Sequence, residues 1–333
     1  MRFLVKFAVL AMLAWCGWWW FAATSLERGV QDWFETRRAE GWQADHAGLT
    51  RSGFPDRLRL RIENPALADP DTGVAVEMGD LVIEAKAWWP GNVTVQLPGS
   101  PILLASPQGR SMLALPGQAA LRTHPGPSLE LEHMSLTSGP WSLETEEGSL
   151  LSAEDLTLEM QQSGNSAETY ALTLEARGFR PGEVARDRFF VPGDWPVAFE
   201  RFAVQADVVF DRPWDRGALD QSRPQPRHIA LKLAEAAWGD LRLKAAADLD
   251  VDPTGVPEGE LTLQARNWRE ILTLAEAAGA LDPDFRPQIE TVLETLARLG
   301  GDPDNFDVTL DFEGGGMSMG FLPLGPAPLI YLR

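Results

Sequence analysis

Residues 57–62 read Arg-Leu-Arg-Leu-Arg-Ile, with Leu58, Leu60 and Ile62 alternating strictly with Arg57, Arg59 and Arg61. Successive side chains of a strand point to opposite faces, so this stretch predicts a strand with one apolar and one wet face. The period returns at Val93, Val95 and Leu97 against Asn92, Thr94 and Gln96, and at Leu129 and Leu131 against Glu130 and Glu132. Alternation of this kind belongs to antiparallel sheets, because parallel strands covered on both faces read as unbroken apolar runs. The segments between carry turn chemistry, such as Pro90-Gly91-Asn92, Gly139-Pro140 and Asp252-Pro253-Thr254-Gly255, at hairpin spacings. The expected fold is mainly β, a long curved antiparallel meander.

Two helices are predicted late in the chain. Asn267 and Glu270 form a capping pattern ahead of Trp268, Ile271, Leu272 and Ala275. Asp282-Pro283 is a second start signal, followed by the apolar stripe Phe285, Ile289, Val292, Leu296 and Leu299 and a stop at Gly300-Gly301. Such helices are expected to cover an edge or open end of the sheet. An internal echo links Leu172–Arg180 (LTLEARGFR) with Leu261–Arg269 (LTLQARNWR), six of nine positions being identical. Duplication of a strand-turn unit would explain it, and so would convergence of short amphipathic strands. A division of the β region into two lobes would fall near residues 181–200.

The N-terminal region is organised differently. From Leu4 to Ala23 the only charge is Lys6, a run just long enough to cross a hydrocarbon core of about 30 Å. Arg2 before the run and Lys6 at its N-terminal edge leave everything after it outside the cytoplasm by the positive-inside rule. Trp18, Trp19 and Trp20 fall at the outer end, where indoles favour the headgroup boundary. A removable signal peptide is the rival reading, but residues 20–24 offer no clean Ala-x-Ala site. A lipoprotein signal is excluded by Trp15 ahead of Cys16. Leu26, Val30, Trp33 and Phe34 continue at helical spacing to Gly41. The expected organisation is an anchor over 1–24, an amphipathic stalk helix over 25–41 and an extracytoplasmic β-rich domain over 42–333.

The 333 residues carry a net charge of −19, which argues against nucleic acid and against anionic surfaces as partners. The single cysteine, Cys16, excludes an internal disulfide and a cysteine metal site. His46, His124, His133 and His228 have no metal-ligand neighbours at useful spacing, and no cofactor is predicted. Gly164-Asn165-Ser166-Ala167-Glu168 lacks the final glycine of a nucleophile elbow. Gly314-Gly315-Gly316 fits a turn better than a phosphate loop. Asp248, Asp250 and Asp252 share one side of a strand and could bind calcium, but Pro253 and Gly259 stand where an EF-hand needs glycine and glutamate. A solvated strand face is the plainer account. No catalytic grouping emerges, and a non-enzymatic protein is expected. Trp88, Trp89, Trp141, Trp238 and Trp268 border strands or helix starts, positions that suit core filling or the rim of an apolar surface.

Gly41-Trp42, Gly53-Phe54-Pro55, Trp88-Trp89-Pro90, Ala237-Trp238-Gly239 before Leu241-x-Leu243, Asn267-Trp268-Arg269 and the closing MSMGFLPLGPAPLI occur in this order. That series resembles domain-of-unknown-function family 2125 over almost the whole chain. The end segment also resembles the C-terminal ends of AsmA-like envelope proteins. This wider resemblance implies an inner-membrane anchor and a periplasmic curved sheet whose concave apolar face handles phospholipid, although the present chain is too short to bridge a periplasm.

The leading expectation is an anchored envelope protein whose apolar β groove holds phospholipid or another acyl-chain ligand. Its candidate lining is Leu129, Leu131, Trp141, Leu172, Leu174, Leu231, Leu233, Trp238, Leu241, Leu243, Leu261 and Leu263. The same leucines would equally build a closed sandwich core. The alternative is a scaffold that docks another envelope protein through an edge strand or the stalk.

Overall fold

The computed structural model describes residues 2–164, 166–220, 222–277, 281, 283–299 and 305–332. Strands make up 49% of the chain and form two antiparallel sheets, neither of them closed. The chain divides into two compact units, residues 1–123 with 143–146, and residues 124–142 with 147–333. Residues 181–200 lie inside the second.

In the first unit the chain alternates between the sheets. One holds strands Gly48–Ser52, Arg57–Glu63, Leu81–Lys86, Trp89–Gln96 and Gly117–Thr123, in that spatial order. The other holds Gln43–Asp45, Ala66–Asp69, Val74–Glu77, Ile102–Ser106 and Gly109–Ala114. The Arg57–Glu63 strand is buried at Leu58, Leu60 and Ile62 and exposed at its arginines, as its alternation requires. Opposite it, Glu84 accepts from Arg59 Nε at 2.9 Å and also bonds Arg57.

A single helix, Arg2–Ala39, lies over the apolar side of these strands. Ala23 packs with Leu58 and Ala87, flanked by Trp15, Trp19 and Leu26, and Phe34 packs with Ala44 and Ile62. Trp15 Nε1 donates to the Pro55 carbonyl (3.0 Å), Trp18 Nε1 to that of Ala87 (2.8 Å) and Trp19 Nε1 to that of Arg57 (2.7 Å). Arg51 ties the next turn through Thr24 Oγ1 and Glu27.

Pro90-Gly91-Asn92, expected as a turn, is instead part of strand Trp89–Gln96, and the chain reverses just before it at Ala87 and Trp88. Glycine serves close approach here: a Cβ on Gly91 would stand 2.9 Å from Thr123 Oγ1 and 3.1 Å from the Trp89 ring. Gly314 and Gly315 do form a turn, both in the left-handed region, between strands Asn305–Glu313 and Gly316–Met319.

In the second unit ten strands of one sheet follow in sequence order from Leu131–Ser138 to Leu322–Pro326. Helices Trp268–Ala277 and Arg286–Leu299 pack on a face of this sheet rather than on its edge. Trp268, Leu272 and Leu293 bury against Ala265, Val308 and Met319, with Leu243 and Leu263 beside them. Asp282, Gly300 and Gly301 lie outside the described residues, as do the side chains of Leu296 and Leu299. The echo has a structural counterpart: Gly178 and Asn267, at matching positions after matching strands, both adopt φ +57°. Each is followed by an aromatic residue, and a helix begins within a few residues, at Glu183 and at Trp268.

Candidate functional site

Directly opposed residues of antiparallel strands share a sheet face, so the register assigns the faces of the second unit. One row runs Met134, Met160, Leu172, Ala206, Leu231, Ala247, Leu261, Leu310 across eight strands. The next row on the same face runs Leu136, Leu158, Leu174, Val204, Ala234, Ala245, Leu263, Val308. Large and small residues alternate from Leu172 to Leu261 in the first row, and Ala234 and Ala245 form a dip between the larger residues of the second, which corrugates the surface. Leu158, Leu172, Leu174, Leu231 and Leu261 are half-buried, so they keep apolar area that a ligand could cover. At a strand spacing of about 4.8 Å, the rows are roughly 34 Å long. That is more than twice the roughly 15 Å depth of one leaflet's acyl chains, half of the ~30 Å hydrocarbon core.

Tyr170, fully buried on the same strand as Leu172, closes one side of the rows. Its hydroxyl donates to the Leu131 carbonyl (3.2 Å) and accepts from the Trp214 N–H (3.1 Å), and burial pushes its phenol above the ordinary value. The opposite face is ionic. Arg201 reaches Glu235 at 3.2 Å, Lys232 reaches Asp207 at 2.6 Å, and Gln264 bonds Asp307 at 3.0 Å.

The structure brings Leu172, Leu174, Leu231, Leu261 and Leu263 together on this face, and Leu243 joins them under the helix pair. Other candidates sit elsewhere. Leu233 lies opposite Gln205, because a bulge between Leu231 and Ala234 displaces it from the apolar rows. Leu129 precedes its strand with φ +52° and is 45% exposed. Leu131 and Leu241 are buried. Trp238 belongs to an aromatic cluster, stacked on Phe199 at 4.6 Å, edge-on to Trp195, and donating to the Pro196 carbonyl. Trp141 packs near Phe179, 6.4 Å between centroids. The small residues Ala206, Ala234, Ala245 and Ala247 complete the rows. Ala245 and Ala247 keep the period of Leu241 and Leu243, a signal present in the sequence, whereas Ala234 reaches the row only through the bulge and Ala206 has no leucine on its strand.

Several chemistry-bearing residues are engaged by their neighbours, whereas the buried Nδ1 of His46 has no hydrogen-bond partner. His124 bonds Gln162 Oε1 at 2.6 Å, and His228 bonds Asp250 at 2.9 Å. Asp252 accepts from the Thr254 hydroxyl and from the Val256 and Thr254 N–H groups, which holds its carboxyl below the ordinary range and spends it on the turn. Ser166 Oγ accepts from the Glu168 N–H in a hairpin loop. Asn165 lies outside the described residues. Among the described residues, no group of three or more His, Cys, Asp or Glu could hold a metal ion.

The family model described as "uncharacterized protein conserved in bacteria", domain-of-unknown-function family 2125, matches residues 19–328. The chain belongs to this family. No curated protein matches it. The matched span includes residues 19–39 of the helix and all the strands of the apolar rows, so this part of the helix and the sheet are part of what the family shares. The helix Arg2–Ala39 is long and apolar enough to cross a membrane, a property that anchors and signal sequences have in common.

Proposed function

We propose that this family member is a non-enzymatic envelope protein, anchored in the bacterial inner membrane by its helix, that receives acyl chains of phospholipid on the apolar face of its second unit in the periplasm. The observation that carries this reading is the pair of apolar rows with half-buried leucines on one face of an ionic-backed sheet. Covering such area gains about 25 cal/mol per Å². The resemblance of the end segment to AsmA-like envelope proteins, including Leu324-Gly325-Pro326-Ala327-Pro328, points the same way. Retention of the helix is supported by its packing: removal after Ala23 would strip three indole hydrogen bonds and uncover Leu58 and Ala87.

Native mass spectrometry of the full chain, released from detergent micelles in the gas phase, tests the proposal. Adducts of phospholipid mass are expected, and Leu172→Asp with Leu261→Asp should abolish them. A wild-type chain that never carries such adducts would refute the reading. A second reading, a docking scaffold, rests on Phe321, 97% exposed just before strand Leu322–Pro326 at the end of its sheet. Cross-linked protein partners that are lost in Phe321→Ser would favour it.

A further inference from the structure

The helix proposed to cross the membrane is also the helix docked on the first unit, and the two roles overlap in sequence. The apolar run spans Leu4 to Ala23, and docking begins at Trp15. At about 1.5 Å per residue, Trp15 stands ~16 Å beyond Leu4, Trp19 ~22 Å and Ala23 ~28 Å. A hydrocarbon core of about 30 Å that starts near Leu4 therefore ends close to Ala23, above the level at which Trp15 holds the Pro55 carbonyl. Tilt or local thinning of the bilayer would reduce this overlap but would still bring lipid to the docked strands.

We propose that the loop at residues 53–56 and the turn at residues 87–88 enter the leaflet of the membrane on the side away from the helix N-terminus, making this tip a lipid-contact surface of the folded domain. The inference rests on the anchored reading of the helix. Its side chains suit that place. Phe54 is 52% exposed and edge-on to Trp19 at 5.4 Å, and Trp88 is 57% exposed with the Lys86 ammonium 5.5 Å from its ring centre. Non-helical backbone survives at membrane depth only if its polar groups are satisfied within the protein. The three indoles do this for the carbonyls of Pro55, Arg57 and Ala87, and the Ala87 N–H donates to the Asp56 carbonyl. The charges at the tip are Asp56, Arg57, Arg59, Glu84 and Lys86, and Arg59 bonds Glu84 from the directly opposed position. Arg57 is paired with both Glu84 and Asp56, and its carbonyl is held at the Trp19 level, about 6 Å inside the boundary near Ala23 at 1.5 Å per residue, a depth from which a long cationic side chain can extend to water.

The test uses the full chain with Cys16→Ser and one new cysteine, Phe54→Cys or Trp88→Cys. Asp45→Cys serves as the control, beside Arg38 at the far end of the same helix. Each is labelled with an environment-sensitive fluorophore and reconstituted into phosphatidylethanolamine–phosphatidylglycerol vesicles, and only protein that floats with vesicles and resists carbonate is read. Labels at 54 and 88 should emit to the blue of the label at 45 and be quenched several-fold less by aqueous iodide. Labels at both positions as wet as that at 45, on inserted protein, overturn the inference alone. Failure of the chain to insert removes the anchored reading and the inference together.

Discussion

Gly259 shows how narrowly single residues fix the sheet of the second unit. It sits opposite Leu249 with φ +134°, and a Cβ there would lie 2.2 Å from the Asp248 carbonyl oxygen. Gly259→Ala should lower stability by about 1–3 kcal/mol or more through backbone strain, measured by denaturant unfolding. Tyr170→Phe removes the one group that joins the Leu131 carbonyl to the Trp214 N–H, and about 1–3 kcal/mol should be lost for leaving buried polar groups unpaired. Glu84 titrates below its ordinary value of 4.5, chiefly because Arg59 and then Arg57 hydrogen-bond its carboxylate. The unfolded chain therefore takes up the proton first as pH falls. The stabilisation from Glu84 is complete above about pH 5 and disappears as pH drops through the folded value. Glu84→Gln should flatten this part of the acid limb of a stability profile, and an unchanged limb would contradict the assignment. None of these three positions was legible in advance, because each depends on a partner brought from another strand.

Among the elements, the strand at 57–63 and the apolar stripe of helix Trp268–Ala277 could be read from period alone, since one buried face imposes its repeat on the sequence, whereas in the second helix Ile289 and Val292 pack as expected but Phe285 stands exposed ahead of the helix and the buried Leu293 lay outside the expected stripe. Pro90-Gly91-Asn92 misled for a definable reason: glycine marks close backbone approach as well as turns, and only the Trp89 ring and Thr123 decide between them. The bulge that displaces Leu233 is equally a property of a strand pair and not of a strand. Trp268, with no solvent exposure, is the keystone of the contact between the helix pair and the sheet. Trp268→Ala should cost about 3–5 kcal/mol and loosen both helices, seen as faster amide exchange across 268–277 and 286–299. Protection confined to its wild-type level would show that the helices are held by something else.

At the scale of the whole molecule, the mainly β character and the apolar N-terminal helix were legible, whereas the use of two sheets was not. Alternation says that a strand has an apolar face, but the choice of neighbour is made by long-range pairing that leaves no local mark. Five of the twelve predicted lining residues meet in the apolar rows, and the alanines between them complete a face that composition alone did not announce. Charged side chains of that sheet pair on its ionic side, leaving the rows themselves uncharged. The central claim is that these rows, and not merely the helix, meet lipid. Photolabelling of the full chain in vesicles with a phospholipid that carries a diazirine at the acyl terminus, followed by peptide mapping, tests it most directly. Label is predicted in the peptides that hold Leu172, Leu231 and Leu261, whereas label confined to residues 2–39 and the tip at Phe54 and Trp88 would contradict it.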